Sequence, residues 1–311
     1  MSCDSHTSHL SKAAIGIAAS FRACLDLALS HYENFPVISR LLPREHEEDF
    51  AAVYAFCRTA DDAADERGDT AISLAELAKM HRQVDRCAAD LPVDGPYFPA
   101  LAVVMKRHTL PAELFHRLLA AFERDQRQSR YETWDDLLTY CAGSADPVGR
   151  IVLLITGHGD HPEIESMFRY SDATCTALQL TNFWQDVVRD LLERNRIYLP
   201  GDIMRRHGVR EADLRAMIEA KRAGEGFKRM EADLLSRTRP LFDEGRDLWP
   251  HLKEEVRPAI QLFTAGGEAI LRAIERQGYD VLMRRPTLSR WGKASLAARA
   301  WIGLRLGLDL F

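Results

Sequence analysis

The chain has few of the features that mark several common protein classes. Its six cysteines are scattered along 311 residues with no Cys-x-x-Cys pair, which is typical of a reduced cytoplasmic protein and argues against a disulfide framework or a cysteine zinc site. The net charge is −5 and no long basic run occurs, so we expect no nucleic-acid surface. The N-terminus lacks the basic-then-apolar layout of a signal peptide. The sequence contains no run of about eighteen apolar residues, so we expect no membrane-spanning helix.

Signals for strands and for a bound dinucleotide are also lacking. No segment alternates apolar and polar residues, no internal repeat is visible, and no glycine-rich dinucleotide fingerprint occurs. Helical periodicity with short linkers runs through the chain instead. With 46% hydrophobic residues, the chain can bury a sizeable core. We predict an all-α fold in one domain over residues 1–311, with 1–10 loose and an amphipathic C-terminal helix at 287–311.

Apolar periodicity, breakers and caps give the approximate helices. Pro43 stands where it can open a helix that ends before Gly68, and Ser73 to Glu76 has the pattern of a capping box. The predicted helices lie at about 11–32, 43–66, 74–89, 98–108, 111–128, 133–143, 147–156, from 162 into the 178–200 stretch, 211–222, 225–247, 254–276 and 288–306, with a short piece at 201–206.

The stretch 178–200 combines carboxylates with apolar surroundings. Asp186 and Asp190 are four residues apart in a helix-favouring segment, so they face the same way. Gln179 and Asn182 continue the same polar stripe, while most other positions are apolar, as in a buried helix. Buried carboxylates are costly unless they are paired or bind a metal. The stretch therefore predicts a cation at Asp186 and Asp190.

A second acidic stretch repeats this pattern. Tyr54, Arg58, Asp61 and Asp65 step by four, three and four residues within apolar sequence. Like charges so close destabilise a bare helix, and a hard divalent cation with oxygen ligands resolves the conflict. Arg58 on the same face suits a phosphate. Either stretch alone also fits a solvated helix face, but two such stretches together favour a functional site.

The two stretches resemble motifs of the squalene/phytoene synthase family, the head-to-head trans-isoprenyl synthases. The resemblance runs from about His31 to Tyr279 and rests on order, content and spacing. The motifs are Tyr54-x-x-x-Arg58-x-x-Asp61-x-x-x-Asp65, Tyr140-Cys141 through Val148-Gly149, Leu178-Gln179-Leu180-x-Asn182-x-x-x-Asp186-x-x-x-Asp190, and Arg196-x-Tyr198-Leu199-Pro200.

The resemblance implies an isoprenoid synthase fold with a central cavity, where two aspartate-rich helices hold Mg²⁺ and a prenyl diphosphate. About two or three ions are expected, and no NADPH. The metal positions carried over are Asp61, Asp65, Asp186 and Asp190. The catalytic positions are Tyr54, Arg58, Asn182, Gln185, Arg196 and Tyr198. The substrate-binding positions are His31, Asn34, Phe35, Gln179, Phe183 and Tyr279.

Departure of the diphosphate leaves a carbocation. Metal ions and arginine stabilise the charge on the leaving group. An apolar cavity excludes stray water, and aromatic faces can stabilise the cation. Phe35, Phe183 and Trp184 are candidates for that role, with ordinary core packing as the alternative for each.

Departures from the family pattern point to one branch. Phytoene- and dehydrosqualene-type members often read His-Ser-x-Ser-Phe where this chain has His31-Tyr32-Glu33-Asn34-Phe35, and commonly carry arginine at the position of Gln185. Ser144-Ala145-Asp146-Pro147 replaces their Val-Ala-Gly block. The combination resembles bacterial hydroxysqualene synthases of hopanoid pathways, which ionise presqualene diphosphate and let water capture the rearranged cation. Such an enzyme is a carbon–oxygen lyase acting on phosphates.

Other functions stay open at this point. Presqualene diphosphate, squalene and phytoene synthases of the same family are prenyltransferase alternatives, and a non-catalytic assembly factor is a remote one, since it would be expected to lose the aspartates. The expected partners are a prenyl diphosphate and the upstream presqualene diphosphate synthase. The basic, apolar tail 290–311 suits either peripheral contact with the inner face of the membrane or packing against the bundle.

Gln185 provides the first test. Its amide could hold a water molecule, so Gln185→Arg and Gln185→Ala are expected to change the ratio of hydroxylated to other products, measured by chromatography of the extracted lipids. Unchanged ratios in both variants would remove this role.

Overall fold

The computed structural model describes residues 4–30, 44–65, 69–289, 292 and 298–299, with side chains at all of these except 4–15 and 65. Within these ranges the chain is helical and has no strand, apart from an isolated parallel bridge between Arg130 and Ile197. The predicted all-α fold is confirmed. Backbone contacts group the chain into two units, Met1–Gln126 with Ile151–His161, and Arg127–Arg150 with Pro162–Phe311. The prediction of one domain stays a prediction.

The first unit is built from helices packed around an aromatic contact. Its helices are α1 (Asp4–Ser30), α2 (Glu47–Asp65, entered through a 3₁₀ turn at Arg44–His46), α3 (Thr70–Ala88), α4 (Phe98–Arg107) and α5 (Ala112–Asp125). Phe56 of α2 meets Phe98 and Phe115 edge-on, with ring centroids 6.4 and 5.1 Å apart. This contact holds the apolar side of α2 inside the unit and leaves the other side for its polar residues.

A buried carboxylate joins the start of α2 to the end of α4. Arg107 Nη1 donates to Asp49 Oδ1 at 2.5 Å, and His108 Nε2 lies 2.7 Å from Asp49 Oδ2. His46 completes a group whose possible metal-ligating atoms all lie within 4.8 Å of one another. Because the guanidinium of Arg107 already compensates the charge of Asp49, the group is explained as a structural ion pair.

The start of α3 corrects one prediction. The helix begins at Thr70 because Asp69 caps it, accepting from the N–H groups of Ala71 at 2.7 Å and Ile72 at 3.3 Å. The predicted capping box at Ser73 is therefore wrong, since an aspartate earlier in the chain serves as cap. Helix α1 also begins earlier than apolar periodicity predicts, at Asp4.

The second unit contains the long helices that position the acidic 178–200 stretch. Its elements are α6 (Trp134–Ser144), the start of α7 (Asp146–Ile155), α8 (Ile164–Gln185), α9 (Val187–Arg194), α10 (Gly201–Arg206), α11 (Glu211–Glu219), α12 (Glu225–Arg246), a 3₁₀ turn at Trp249–His251, and α13 (Arg257–Arg276). Helix α8 packs chiefly against α12 and also against α13 and α6. Gly245 lies so close to the side chain of Thr174 that a Cβ there would collide with it.

One apolar stretch in the described residues meets the length and composition expected of a membrane-spanning helix. It is Trp134–Ile155, formed by α6 and α7, and half of its most apolar window is buried. The sequence alone had predicted no such stretch. Because the core helices of globular proteins meet the same criterion, this is weak evidence for a membrane span.

Glu231 is an acidic residue inside the core of the second unit. It lies on the buried side of α12 among apolar neighbours, is fully inaccessible, and neither carboxyl oxygen has a hydrogen-bond partner. Burial raises the pKa of this carboxyl well above its usual value. An unfolded glutamate ionises near pH 4.3, whereas the folded one keeps its proton far longer. The contribution of Glu231 to the free energy of unfolding therefore falls as the pH rises above about 4.

Replacing Glu231 should therefore stabilise the protein. Glu231→Met is expected to raise the free energy of unfolding at pH 7 by about 1–3 kcal/mol, and Glu231→Gln by less, because the amide stays unpaired. In both variants, the free energy of unfolding should no longer carry the contribution of Glu231 to its pH dependence above pH 4. Urea unfolding at several pH values checks this, and unchanged stability and slope in both variants would contradict it.

Candidate functional site

The second acidic segment is divided at its first aspartate. Sequence spacing predicts one continuous helix, but α8 ends at Gln185 and α9 begins at Val187, with Asp186 at φ −108° and ψ 16° between them. Backbone bonds still cross the break. The Asp186 N–H donates to the Asn182 carbonyl and the Asp190 N–H to the Asp186 carbonyl, both at 2.9 Å. The one-turn spacing of the two aspartates is thus kept, and the prediction of a single helix is wrong.

Asp190 is the carboxylate whose negative charge is least compensated. The pKa of Asp190 is raised to about 7, first by burial and then by the negative charge of Asp186, although nearby arginines oppose this. Both aspartates are only partly accessible, while Leu192 is 60% exposed. Helix α9 therefore has a solvent face, which a helix apolar on nearly all sides would not have. Paired, shielded carboxylates of this kind fit a hard divalent cation.

Two contacts hold residues 285–286 against the break between α8 and α9 at Asp186. Arg285 donates from Nε and Nη2 to the two carboxylate oxygens of Asp186, the second bond measuring 2.9 Å. Gln185 is buried, and its amide donates to the carbonyl of Pro286 at 2.5 Å. The side-chain amide of Gln185 therefore binds a backbone carbonyl, a contact that the sequence does not predict. Arg285 was missed because it lies 99 residues from Asp186 and belongs to no motif.

The Arg196–Pro200 motif returns the chain to the acidic segment. Asn195 ends α9 in the left-handed conformation, with φ 51°, and the Arg196 N–H donates to the Asp190 carbonyl at 2.9 Å. Arg196 and Tyr198 are both buried. A small cavity of about 10 Å³ is lined by Asp190, Arg196, Tyr198 and Phe183, among others. The structure thus brings together four of the residues selected from the sequence.

Aromatic rings form one wall of this region. Phe183 stacks on Tyr198 with centroids 3.9 Å apart and planes 8° from parallel, and Tyr131 and Tyr140 extend the cluster. Trp184 has a different role. It is fully buried, and its indole N–H donates to Thr238 Oγ1 at 2.9 Å. Core packing therefore explains Trp184, whereas Phe183 stays a candidate for contact with a carbocation.

The first acidic segment lies on α2 in the other unit. Tyr54, Arg58 and Asp61 are partly accessible on a helix whose other side is buried. Arg58 Nη1 lies 3.4 Å from Asp61 Oδ2, and its Nη2 pairs with Asp62. The guanidinium therefore already offsets part of the acidic charge. Burial raises the pKa of the Tyr54 phenol, so the phenol keeps its proton at neutral pH. The side chain of Asp65 lies outside the described residues.

The remaining predicted positions are less defined. Tyr279 follows α13 in the left-handed region, with φ 61°, and its N–H donates to the Ile274 carbonyl at 3.0 Å. It begins the segment that returns to Asp186, and its predicted contact with substrate stays a prediction. Gln179 is half-buried one turn before the exposed Asn182. The predicted substrate-binding residues His31, Asn34 and Phe35 lie outside the described residues.

Close helix contact explains the glycine in the second motif. A Cβ on Gly149 would meet the Ser171 hydroxyl and lie 2.6 Å from Cys175 Sγ on α8. The adjacent Arg150 pairs with Asp172 of α8 through two hydrogen bonds. The motif therefore positions the helix that leads to Asp186.

Gly149→Ala should lower the free energy of unfolding by about 1–3 kcal/mol, because the added methyl overpacks the contact with α8. Removing the obstructing atoms in Gly149→Ala/Ser171→Ala/Cys175→Ala should recover part of the loss. Chemical denaturation of both variants, with Ser171→Ala/Cys175→Ala as the control, checks this. A Gly149→Ala protein as stable as the wild type would contradict the argument.

Comparisons with known proteins identify the family. The family profile for squalene/phytoene synthase matches residues 29–292. A phytoene synthase of Thermus thermophilus is 34% identical over 285 residues, covering 92% of this chain and 93% of the relative. A hydroxysqualene synthase of Rhodopseudomonas palustris is 32% identical over 251 residues, covering 78% and 80%.

Solved structures share the architecture. The squalene synthase HpnC from Alicyclobacillus acidocaldarius superposes with a TM-score of 0.77 and 43% identity, covering 86% of this chain and 97% of that one. A dehydrosqualene synthase superposes with a TM-score of 0.80 over 93% and 98% of the two chains; at 24% identity it shows the fold alone. The chain therefore has the isoprenoid synthase fold and belongs to the squalene/phytoene synthase family.

Proposed function

We propose that the protein is a Mg²⁺-dependent hydroxysqualene synthase. Presqualene diphosphate loses its diphosphate, the cyclopropylcarbinyl cation rearranges, and water adds to give hydroxysqualene, diphosphate and a proton. Family membership supports the broader class of head-to-head isoprenoid synthases. The observation that carries the proposal is the partly buried Asp190, one helical turn from Asp186, which lies with Arg196 beside the stacked rings of Phe183 and Tyr198.

The proposed metal-binding residues are the aspartates of the two acidic segments. Asp186 and Asp190 fit a hard cation because they are partly shielded carboxylates one turn apart, and the negative charge of Asp186 together with burial raises the pKa of Asp190. Asp61 lies in an acidic turn that Arg58 compensates only in part. The proposed set is Asp61, Asp65, Asp186 and Asp190. Bound Mg²⁺ would supply positive charge to the departing diphosphate.

The protein's own side chains supply the rest of the chemistry. Arg58 and Arg196 are guanidinium groups suited to oxygen atoms of a diphosphate. The protonated phenol of Tyr54 can donate a hydrogen bond. The ring of Phe183 is the candidate for stabilising a carbocation, and its stacked cluster with Tyr198 helps to keep water away. Asn182 and Gln179 extend the polar stripe of α8 toward Asp186.

The choice among family activities rests on departures in the sequence. Relatives named phytoene synthase and hydroxysqualene synthase are both similar to this chain. The glutamine at 185 and the 31–35 and 144–147 segments favour the hydroxysqualene branch. Phytoene synthase is the second candidate, because the Thermus thermophilus relative matches nearly the whole chain. Presqualene diphosphate and squalene synthases are further alternatives.

A product assay tests the proposal. Purified protein with presqualene diphosphate and Mg²⁺, without NADPH, should give hydroxysqualene as the main product. Parallel reactions with farnesyl and geranylgeranyl diphosphate identify the alternatives. Asp186→Asn should lower turnover by at least about 100-fold, since it removes charge stabilisation at the leaving group. Turnover of geranylgeranyl diphosphate to phytoene, with presqualene diphosphate left unchanged, would reject the proposed activity.

Location and membrane contact complete the proposal. A cytoplasmic enzyme with a lipid product would gain from contact with the membrane surface, and the basic, apolar tail 290–311 is the segment suited to it. Nearly all of that tail lies outside the described residues, so the prediction rests on sequence.

A further inference from the structure

We infer that Arg285 acts as a latch on Asp186, so that pairing with Arg285 and binding of a divalent cation exclude each other at this carboxylate. The inference rests on the proposed function, which makes Asp186 a metal ligand, and adds a residue that antagonises the metal. Arg285 is then a positioning residue that sets how readily the cation binds.

The contact occupies both oxygens of the carboxylate. Arg285 donates from Nε to Asp186 Oδ1 and from Nη2 to Oδ2, the two-point arrangement that makes guanidinium–carboxylate pairs strong. The side chain of Asp186 is 14% exposed, and that of Arg285 is 49% exposed. Water therefore competes weakly for the carboxylate, while the arginine has solvent on its outer side into which it can move. The two bonds use one lone-pair site on each oxygen, and the positive charge of Arg285 beside them opposes a cation that approaches Asp186.

Hydrogen bonds hold the backbone on both sides of Arg285. Placing the guanidinium at Asp186 therefore costs little conformational entropy. Pro286 is buried, and its carbonyl accepts from Gln185 at 2.5 Å. The preceding carbonyl, that of Arg284, accepts from Gln277 at 3.0 Å. Gln185 and Asp186 are adjacent. The hydrogen bond to Pro286 and the ion pair with Arg285 are therefore made at neighbouring residues.

Asp280 fixes the start of the same segment. Its two carboxylate oxygens accept from the N–H groups of Ala223 at 3.1 Å and Met283 at 3.0 Å. The segment from Asp280 to Pro286 is therefore held at both ends, and the Arg285 side chain is the part that must move when a cation binds. The latch supplies charge to the carboxylate pair when no cation is bound.

This arrangement lowers apparent cation affinity, because only the unlatched fraction of molecules can bind. Removing the guanidinium should raise that affinity. It also removes one positive charge, so a matched control is needed. Arg284 is the adjacent residue, it is exposed, and it lines a separate cavity of about 400 Å³ with Arg272 and Arg276. Arg284→Gln changes the net charge equally without touching Asp186.

The experiment measures Mn²⁺ binding to the full chain by electron paramagnetic resonance of free Mn²⁺, without substrate. Arg285→Gln should bind Mn²⁺ about 3- to 10-fold more tightly than the wild type at Asp186, and Arg284→Gln within about twofold of the wild type. Arg285→Lys keeps the charge but loses the two-point fork, and should be intermediate. Asp186→Asn should lose this binding, and thermal unfolding of each variant confirms that it is folded.

The outcomes separate the latch from the proposed function. If wild-type binding depends on Asp186 but Arg285→Gln matches Arg284→Gln, the latch is rejected and the metal site stands. If Asp186→Asn binds Mn²⁺ like the wild type, Asp186 is not a metal ligand and both ideas fail. Tighter binding in Arg285→Gln and Arg285→Lys, but not in Arg284→Gln, supports the latch.

Discussion

Shielded negative charge is the constraint on which the second unit depends. Asp186 and Asp190 lie one turn apart in a partly buried setting, and the pKa of Asp190 is raised to about 7 because burial and Asp186 together disfavour its charge. The arginines near α9 reduce this cost without removing it. Arg285 neutralises one carboxylate through both oxygens. The arrangement is a poor choice for stability alone, which is why it points to an ion as the remaining partner.

The surrounding fold makes that cost tolerable by fixing α8 firmly. Gly149 and Gly245 allow other helices to approach it closely, and the buried bond from Trp184 to Thr238 joins it to α12. The break at Asp186 therefore falls at the end of a rigid element, where a small backbone adjustment re-aims a carboxylate. Glu231 differs from the aspartate pair. Its carboxyl is buried with no hydrogen-bond partner, and burial raises its pKa so that the neutral form is favoured.

Local patterns predicted much of the fold and part of the site. The predicted bounds of α4 are nearly those observed, and the short piece expected at 201–206 is the helix α10. Thr133 caps α6 by accepting from the Asp136 N–H. Spacing alone selected Asp186 and Asp190, and the family resemblance selected Arg196, Tyr198 and Phe183. The structure brings Asp190, Arg196, Tyr198 and Phe183 together. Features that depend on distant contacts were not predictable. Nothing near Asp186 encodes Arg285, and nothing near Gln185 shows that its amide binds a backbone carbonyl rather than a ligand. The break in the helix was also hidden, because the four-residue spacing of the aspartates is the same with and without it.

The central claim is that the Asp186–Asp190 pair holds a divalent cation. The most direct measurement is a crystal structure with Mn²⁺ and a non-hydrolysable diphosphate analogue, using anomalous scattering to locate the ion. The account predicts a peak within about 2.2 Å of a carboxylate oxygen of Asp186 or Asp190, with Arg285 moved off Asp186. A structure at saturating Mn²⁺ and diphosphate analogue with no peak at either aspartate, and the Arg285–Asp186 pair intact, would contradict it.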